Sequence, residues 1–137
     1  MIIGGQTFTV LQGAHFNDVP DDGSLLSISI GKLSARGITS GCGSSSYCPD
    51  TAVTRAQMAV FLERAMKGAA YQPPAASCTS GHTSDFADVA CPDFFANFIE
   101  QLFADGITGG CGGGNYCPSL AVTRGQMAVF LVQAFNL

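Results

Sequence analysis

Two copies of a Thr-Arg-x-Gln tetrapeptide carry the residues best suited to chemistry, at Thr54–Gln57 and Thr123–Gln126. An arginine in a first helical turn faces the positive end of the helix dipole, which costs roughly 0.3–1 kcal/mol at low salt. Its presence in both copies therefore needs a reason. One is an anion site, because helix-start amides and a guanidinium together suit a carboxylate or phosphate. The other is an internal salt bridge such as Arg55 with Asp50, a partner that Ser119 replaces in the second copy.

The threonine and glutamine of each tetrapeptide have a structural explanation of their own. Their spacing is that of a capping box, in which the hydroxyl accepts from the third amide of the helix and the glutamine reaches back. With the arginines they form the candidate ligand-binding set, which contains Arg55, Arg124, Thr54, Thr123, Gln57 and Gln126.

A second recurring pattern places an aspartate and a tyrosine around each cysteine pair. Asp18 and Asp88 lie in Phe-x-Asp-Val tetrapeptides, where aspartate commonly caps a turn or a helix, and the alternative is a polar lining of a glycan groove. Tyr47 and Tyr116 precede the second cysteine of each pair. These rings either stack on sugars or cover the loop.

The cysteines favour an oxidising compartment, because six occur in a small chain with few lysines. Cys42 with Cys48 and Cys111 with Cys117 enclose equivalent loops of five residues, which leaves Cys78 with Cys91. Zinc is the alternative, but zinc ligand pairs usually stand two to four residues apart and no histidine repeats with the cysteines. The sequence therefore predicts three disulfides, no metal and no cofactor.

Several function classes lack the residues that they need. There is no carboxylate dyad and no serine or zinc hydrolase motif, and His15 and His82 have unrelated contexts that predict solvated loop positions. The glycine-rich loops are not followed by Gly-Lys-Ser/Thr, so they are not phosphate loops. A net charge of −4 without a basic run argues against nucleic acid, and no apolar run is long enough to enter a membrane. No secretion signal is recognisable, so we expect a processed chain or a piece of a longer one.

These residues must be positioned by two copies of one supersecondary unit. The segment from Gly37 recurs almost unchanged from Gly106, and repeated units normally hide their apolar faces against one another. In each copy a first helix ends near that glycine, a stapled loop follows, and a second helix begins after Thr54 or Thr123. Pro92 and Asp93 suit the first turn of the first helix in the second copy.

The remaining segments have no counterpart in the repeat. Gln6–Leu11 alternates polar and apolar residues as a strand does, and Pro73–Ser77 is typical of an extended connector. We expect a mainly α fold of tandem helix-loop-helix repeats with disulfide-stapled loops and a short N-terminal strand. The expected bounds are an N-terminal arm (1–15) that serves as an assembly contact, repeat 1 (16–68), a connector (69–85) and repeat 2 (86–137).

The order Phe-x-Asp-Val, apolar helix, Gly-Ile-Thr-x-Gly, Tyr-Cys-Pro and Val-Thr-Arg-x-Gln-Met-Ala-Val-Phe-Leu resembles the S-layer homology (SLH) family. The resemblance covers both repeats. It implies a bacterial, extracellular, cell-surface protein of the kind that binds cell-wall polysaccharide, often pyruvylated. It also implies that Arg55 and Arg124 hold the acidic group of the polymer, since they occupy the arginine position of the family's TRAE-type motif.

Two functions from different classes follow. The first is a non-catalytic module that attaches to a cell-surface glycan through the helix-start arginines. The second is a structural subunit that uses the same fold to form a homo-oligomer, a surface layer or a filament. An apolar repeat face that no neighbouring repeat covers favours binding to a partner.

Overall fold

The computed structural model shows the mainly α-helical chain that the periodicity predicts. It describes residues 16–137 and the backbone of residues 2–3 and 6–7. The helices in this part of the chain are α1 (Leu25–Ala35), α2 (Arg55–Lys67), α3 (Phe94–Ala104) and α4 (Arg124–Phe135). The chain divides into an N-terminal unit, residues 1–51, and a C-terminal unit, residues 52–137. This division falls before the second helix of repeat 1, so the compact units do not coincide with the sequence repeats.

The N-terminal unit contains α1 and a pair of short strands. Strands β1 (Ile2–Ile3) and β2 (Gln6–Thr7) pair antiparallel, with Ile2 opposite Thr7. The predicted strand therefore includes β2, while residues 8–15, with His15, lie outside the described residues. Ser24 caps α1 by accepting from the Ser27 amide at 3.2 Å.

The C-terminal unit is built around α2, which packs chiefly on α3 and to a lesser extent on α4. The side chains of Ala59, Phe98, Ile99 and Leu102 are almost fully buried in its core. α2 is the second helix of repeat 1, and α3 is the first helix of repeat 2. The principal helix contact therefore joins successive repeats rather than the two helices of one repeat.

The segments that lead into α2 and α4 are themselves paired. The Val122 amide donates to the Val53 carbonyl at 2.9 Å, and Thr54 lies opposite Ala121 in an antiparallel bridge. Val53 and Val122 hold the same position in the two repeats, so this pairing joins equivalent segments of the two copies.

Glycine is required where each stapled loop begins. Gly110 has φ +87°, and a Cβ there would collide with the Asn115 carbonyl oxygen and the Phe86 ring. Gly41 has φ +84° and the same surroundings, formed by Ser46 and Phe16. The loop can therefore fold tightly over its phenylalanine only without a side chain at this point. The two glycines near which the first helices are predicted to end follow α1 and α3 and are left-handed, with φ +69° at Gly37 and +76° at Gly106.

The start of α3 lies later than the sequence predicts. Asp93 is extended and accepts from the Phe95 amide at 2.8 Å, so it is the N-cap and the helix begins at Phe94. The prediction that Pro92 and Asp93 form the first turn is wrong, because the aspartate side chain caps the helix from outside it.

A hairpin that the sequence analysis missed follows the connector. Strand β3 (Cys78–Thr79) pairs antiparallel with β4 (His82–Thr83), and the two turn residues have φ +53° at Ser80 and +84° at Gly81. These positive values are typical of a type I′ turn. His82 lies in β4 and is half-buried, so its predicted place in a solvated loop is wrong. A Ser-Gly pair between short polar segments was the available signal.

Candidate functional site

Both Thr-Arg-x-Gln tetrapeptides form the predicted capping boxes. Thr54 Oγ1 accepts from the Gln57 amide at 3.2 Å, and Gln57 Oε1 accepts from the Thr54 amide at 3.0 Å. The reciprocal bonds between Thr123 and Gln126 measure 3.0 and 3.2 Å. In each tetrapeptide the arginine follows the capping threonine and is the first residue of its helix.

Arg55 is buried, with 3% of its surface exposed. Its Nε donates to the Tyr116 carbonyl oxygen at 2.7 Å, and the Tyr116 hydroxyl donates back to the Arg55 carbonyl at 2.8 Å. The guanidinium carbon lies 4.7 Å from the Tyr116 ring centre and 5.4 Å from that of Phe130. These contacts join α2 to the stapled loop and last helix of repeat 2, and they explain the arginine without a ligand.

Arg124 occupies the same helical position but is exposed to solvent. Its guanidinium therefore remains accessible to an anion from outside. The two copies of the motif have unlike surroundings, although their sequences are nearly the same.

The repeated aspartates bind the stapled loops. Asp18 accepts from the amides of Tyr47 and Cys48, both at 2.7 Å, and the Tyr47 amide is the main cause that holds the pKa of Asp18 below its usual value. Asp88 accepts from the corresponding amides of Tyr116 and Cys117, both at 2.8 Å. Each carboxylate thus spans the Tyr-Cys peptide with both oxygens, a capping role of the kind that the sequence favours.

The two tyrosines differ in accessibility. Tyr116 is completely buried, and burial raises its pKa to about 12. Its buried ring is not accessible to a sugar in this conformation. Tyr47 is half-buried, packs 5.3 Å from the Phe16 ring, and has a pKa raised by burial.

The predicted disulfides are confirmed. Cys42 joins Cys48, Cys78 joins Cys91, and Cys111 joins Cys117. Asp88 and the sulfurs of Cys111 and Cys117 lie close together, as metal ligands would. Sulfurs bonded to each other are not the thiolates that zinc requires, so this cluster does not fit zinc in the oxidised protein.

A cleft of about 410 Å³ opens beside the start of α2 in the C-terminal unit. It brings together three of the predicted site residues, Thr54, Gln57 and Asp88. Its other walls include Asp93, Phe95, Ile99 and Ser119, whose part in the cleft the sequence analysis missed. Polar and apolar side chains therefore line the cleft together.

An ionic cluster between α2 and α3 also escaped the sequence analysis. Lys67 Nζ lies 2.8 Å from Glu63 Oε2 and 2.5 Å from Asp105 Oδ2. Glu63 is completely buried, and neither of its oxygens has a hydrogen-bond partner of good geometry. Burial, with the nearby Asp105 carboxylate, raises the pKa of Glu63 to about 7.

Glu100 is a second carboxyl group with a raised pKa. Burial, followed by the neighbouring Asp85 carboxylate, raises the pKa of Glu100 to about 7. Its Oε1 atom is buried without a hydrogen-bond partner.

Comparison with known proteins places these features in a family. The profile of the S-layer homology domain matches residues 15–59 and 86–128. These two stretches contain both stapled loops and both Thr-Arg-x-Gln motifs.

Similar sequences occur within much longer proteins. A cell surface protein of Thermoanaerobacter kivui is 31% identical over 88% of this chain, and an amylopullulanase of Thermoanaerobacterium thermosulfurigenes is 29% identical over 89%. The exoglucanase XynX of Acetivibrio thermocellus is 27% identical over the whole chain. The matched stretches cover 15%, 6% and 12% of these relatives. Within the described part of the chain, no helix is both long and apolar enough to span a bilayer.

Proposed function

The chain belongs to the S-layer homology domain family of bacterial cell-surface modules, and from this premise we propose that it binds cell-wall polysaccharide through the α2 cleft and Arg124. The domain itself is a non-catalytic anchoring module. The enzyme names of three relatives belong to proteins in which the matched stretch is 6 to 12% of the length.

The cleft is the observation that carries this proposal. Thr54, Gln57, Asp93 and Ser119 offer hydroxyl, amide and carboxylate groups to sugar hydroxyls, and Phe95 offers an apolar surface to a sugar ring. Asp88 is occupied by the loop amides, so it shapes the wall. A cleft bearing two carboxylates suits neutral sugar units better than anionic ones.

Arg124 supplies the positive charge that an acidic substituent such as a pyruvyl ketal requires. It stands at the first position of α4, where helix-start amides add to its charge. Arg55 has its Nε bound to Tyr116 and is 3% exposed, so we assign it a positioning role. It keeps the loop that carries Ser119 against the start of α2.

Retention on purified bacterial cell-wall sacculi tests both parts of the site, with native sacculi compared with sacculi freed of pyruvyl groups. Arg124→Ala should weaken retention on native sacculi by about tenfold and have little effect on depyruvylated ones, because one charge-assisted contact is lost. Lys32→Ala, which removes an exposed positive charge from α1, is the matched control and should bind normally.

Ser119→Trp should fill the cleft and weaken retention on both kinds of sacculi. Ala70→Trp, at another exposed position of the same unit, should not. If Arg124→Ala and Ser119→Trp both retain wild-type binding, the proposed site is wrong.

A second candidate function is self-assembly into a layer or filament. The observation that favours it is the exposure of large apolar side chains on two helices, such as Leu25 (81%) and Leu26 (54%) on α1 and Val129 (58%) and Phe135 (45%) on α4. Apolar surface of this kind on secreted proteins commonly marks an interface.

A further inference from the structure

The two copies of the second helix differ in what covers them. In α2, Ala59 and Glu63 are completely buried and Val60 is 7% exposed, largely through packing on α3. The residues at the same positions of α4 are Ala128, which is exposed, Val129 at 58% and Val132 at 45%. We call this surface of α4, with Leu131 and Phe135, the outgoing face. It keeps the alanine, valine and leucine of the α2 face, with Val132 and Phe135 in place of Glu63 and Met66, and it is exposed.

The first helix of repeat 1 shows the complementary situation. α1 aligns with α3 residue for residue at a spacing of 69 positions, from Leu25 with Phe94 to Ala35 with Ala104. Leu102 of α3 is fully buried, whereas Leu33 at the same position of α1 is 38% exposed. Phe95 is half-buried, whereas Leu26 is 54% exposed. We call Leu25, Leu26 and Leu33 the incoming face, in which Ser29 takes the position of the buried Phe98.

The contact of α2 with α3 shows how an outgoing and an incoming face fit. Lys67 at the end of α2 meets Asp105 at the end of α3, so the two helices lie side by side with their C-terminal ends together. α4 is the helix of repeat 2 that corresponds to α2, and α1 is the helix of repeat 1 that corresponds to α3. A contact of α4 with α1 would therefore continue the interface that already joins the two repeats.

The charges at the equivalent positions favour this contact. Val132 replaces the buried Glu63, so no carboxylate has to be desolvated. Arg36 replaces Asp105 and would lie beside the C-terminal end of α4, where the helix dipole attracts a cation. Asn136 replaces Lys67, so no cation opposes Arg36 there.

We propose that the outgoing face of one chain binds the incoming face of a second copy, in the arrangement of α2 on α3. The contact is head-to-tail, so it generates a ring if it closes and a filament if it does not. This inference deepens the second candidate function and rests on it. Retention on sacculi tests the first function separately, because Arg124 and Ser119 lie outside both faces.

A pair of one-sided variants tests the interface by sedimentation velocity. Val132→Asp disables the outgoing face and Leu33→Asp the incoming face. Wild-type chain should form oligomers whose size grows with protein concentration. Each variant alone should associate at least about tenfold more weakly, since association would bury an unpaired carboxylate. An equimolar mixture should give a one-to-one dimer and nothing larger, because only one intact face of each kind remains.

Leu120→Asp is the matched control, since it places the same charge at an exposed leucine (60%) outside α4, and it should assemble as wild type does. Circular dichroism establishes that each variant is folded. Val129→Asp with Leu26→Asp gives a second, independent pair if the first does not fold.

Three results would overturn the proposal. A wild-type chain that stays monomeric at all concentrations would show that the faces close within one chain or bind another protein. Dimers of Leu33→Asp alone would show that outgoing faces pair with each other. A mixture that stays monomeric, although wild type associates, would place the interface elsewhere.

Discussion

Arg55 and Arg124 occupy the same position of a repeated sequence motif but have different surroundings. Its Nε bond to Tyr116 and its two ring contacts are internal, whereas Arg124 stands exposed at the copy of the position. The helix-dipole cost that makes both arginines conspicuous in the sequence is offset at Arg55 by contacts within the fold. The exposed guanidinium of Arg124 is instead available to a ligand.

Arg55→Ala should lower the free energy of unfolding by about 2–4 kcal/mol, because it removes a buried hydrogen bond and two cation–π contacts and leaves a cavity. Arg124→Ala should change it by less than about 0.5 kcal/mol, as exposed substitutions usually do. Urea denaturation at neutral pH measures both. Equal effects of the two substitutions would contradict the structural assignment of Arg55.

Glu63 makes stability depend on pH in the direction opposite to most carboxylates. Its pKa of about 7 in the folded chain lies above the usual value of 4.5, so the folded state holds the proton more tightly. The contribution of Glu63 to the free energy of unfolding should therefore be largest below about pH 4.5, fall by roughly 1–3 kcal/mol as the pH rises to 7, and then level off. Lys67 and Asp105 titrate outside this window, since the pKa of the first is raised and that of the second lowered.

Glu63→Gln should remove most of this decline, and urea midpoints between pH 4.5 and 8 measure it. Glu100→Gln is the comparison, because burial also raises the pKa of Glu100 to about 7, and it should remove a decline of similar size over the same pH range. An unchanged pH profile in Glu63→Gln would show that the buried carboxyl is not the cause.

At the scale of the element, each stapled loop depends on a carboxylate from a distant tetrapeptide. Asp88 receives two loop amides and Gly110 allows the loop to close over Phe86. The crosslink alone therefore does not determine the shape of the loop. Chain entropy lost through a disulfide with a separation of 6 residues is worth about 2 kcal/mol, comparable to a single charge-assisted hydrogen bond.

Asp88→Asn should lower the free energy of unfolding by about 1–2 kcal/mol, because one of its two acceptor oxygens becomes a donor. Hydrogen exchange should accelerate at the Tyr116 and Cys117 amides, and Asp18→Asn should do the same at Tyr47 and Cys48. The exposed Asp21→Asn is the control. Exchange that stays slow at Tyr116 and Cys117 would mean that the disulfide holds the loop without the aspartate.

At the scale of the whole molecule, the sequence repeat and the packed unit have different bounds. α2 belongs to repeat 1 in sequence, yet it packs within residues 52–137. A fragment of residues 52–137 should therefore unfold cooperatively, whereas residues 69–137 should not, because Phe98, Ile99 and Leu102 lose their cover. Thermal unfolding by circular dichroism and dispersion of the amide NMR signals distinguish the two. A well-folded 69–137 fragment would contradict this account.

Features that depend on residues close together in the sequence could be predicted, whereas contacts between residues far apart in the sequence could not. The capping boxes depend on residues three apart, and the disulfides followed from loops that recur, so both could be read from the chain. The surroundings of Arg55 could not, because its partner Tyr116 is 61 residues away. The same holds for Asp88, whose loop amides are 28 and 29 residues distant, and for the cleft, which combines three separate segments.

The pairing of Val53 with Val122 has a consequence for how such a protein can arise. Because the contact joins equivalent segments of two copies, a single-repeat ancestor already held both halves of it. Two such ancestral chains could associate through it before any duplication. Gene fusion then needed only a tether such as residues 69–85, which turned an association that depends on concentration into an internal one.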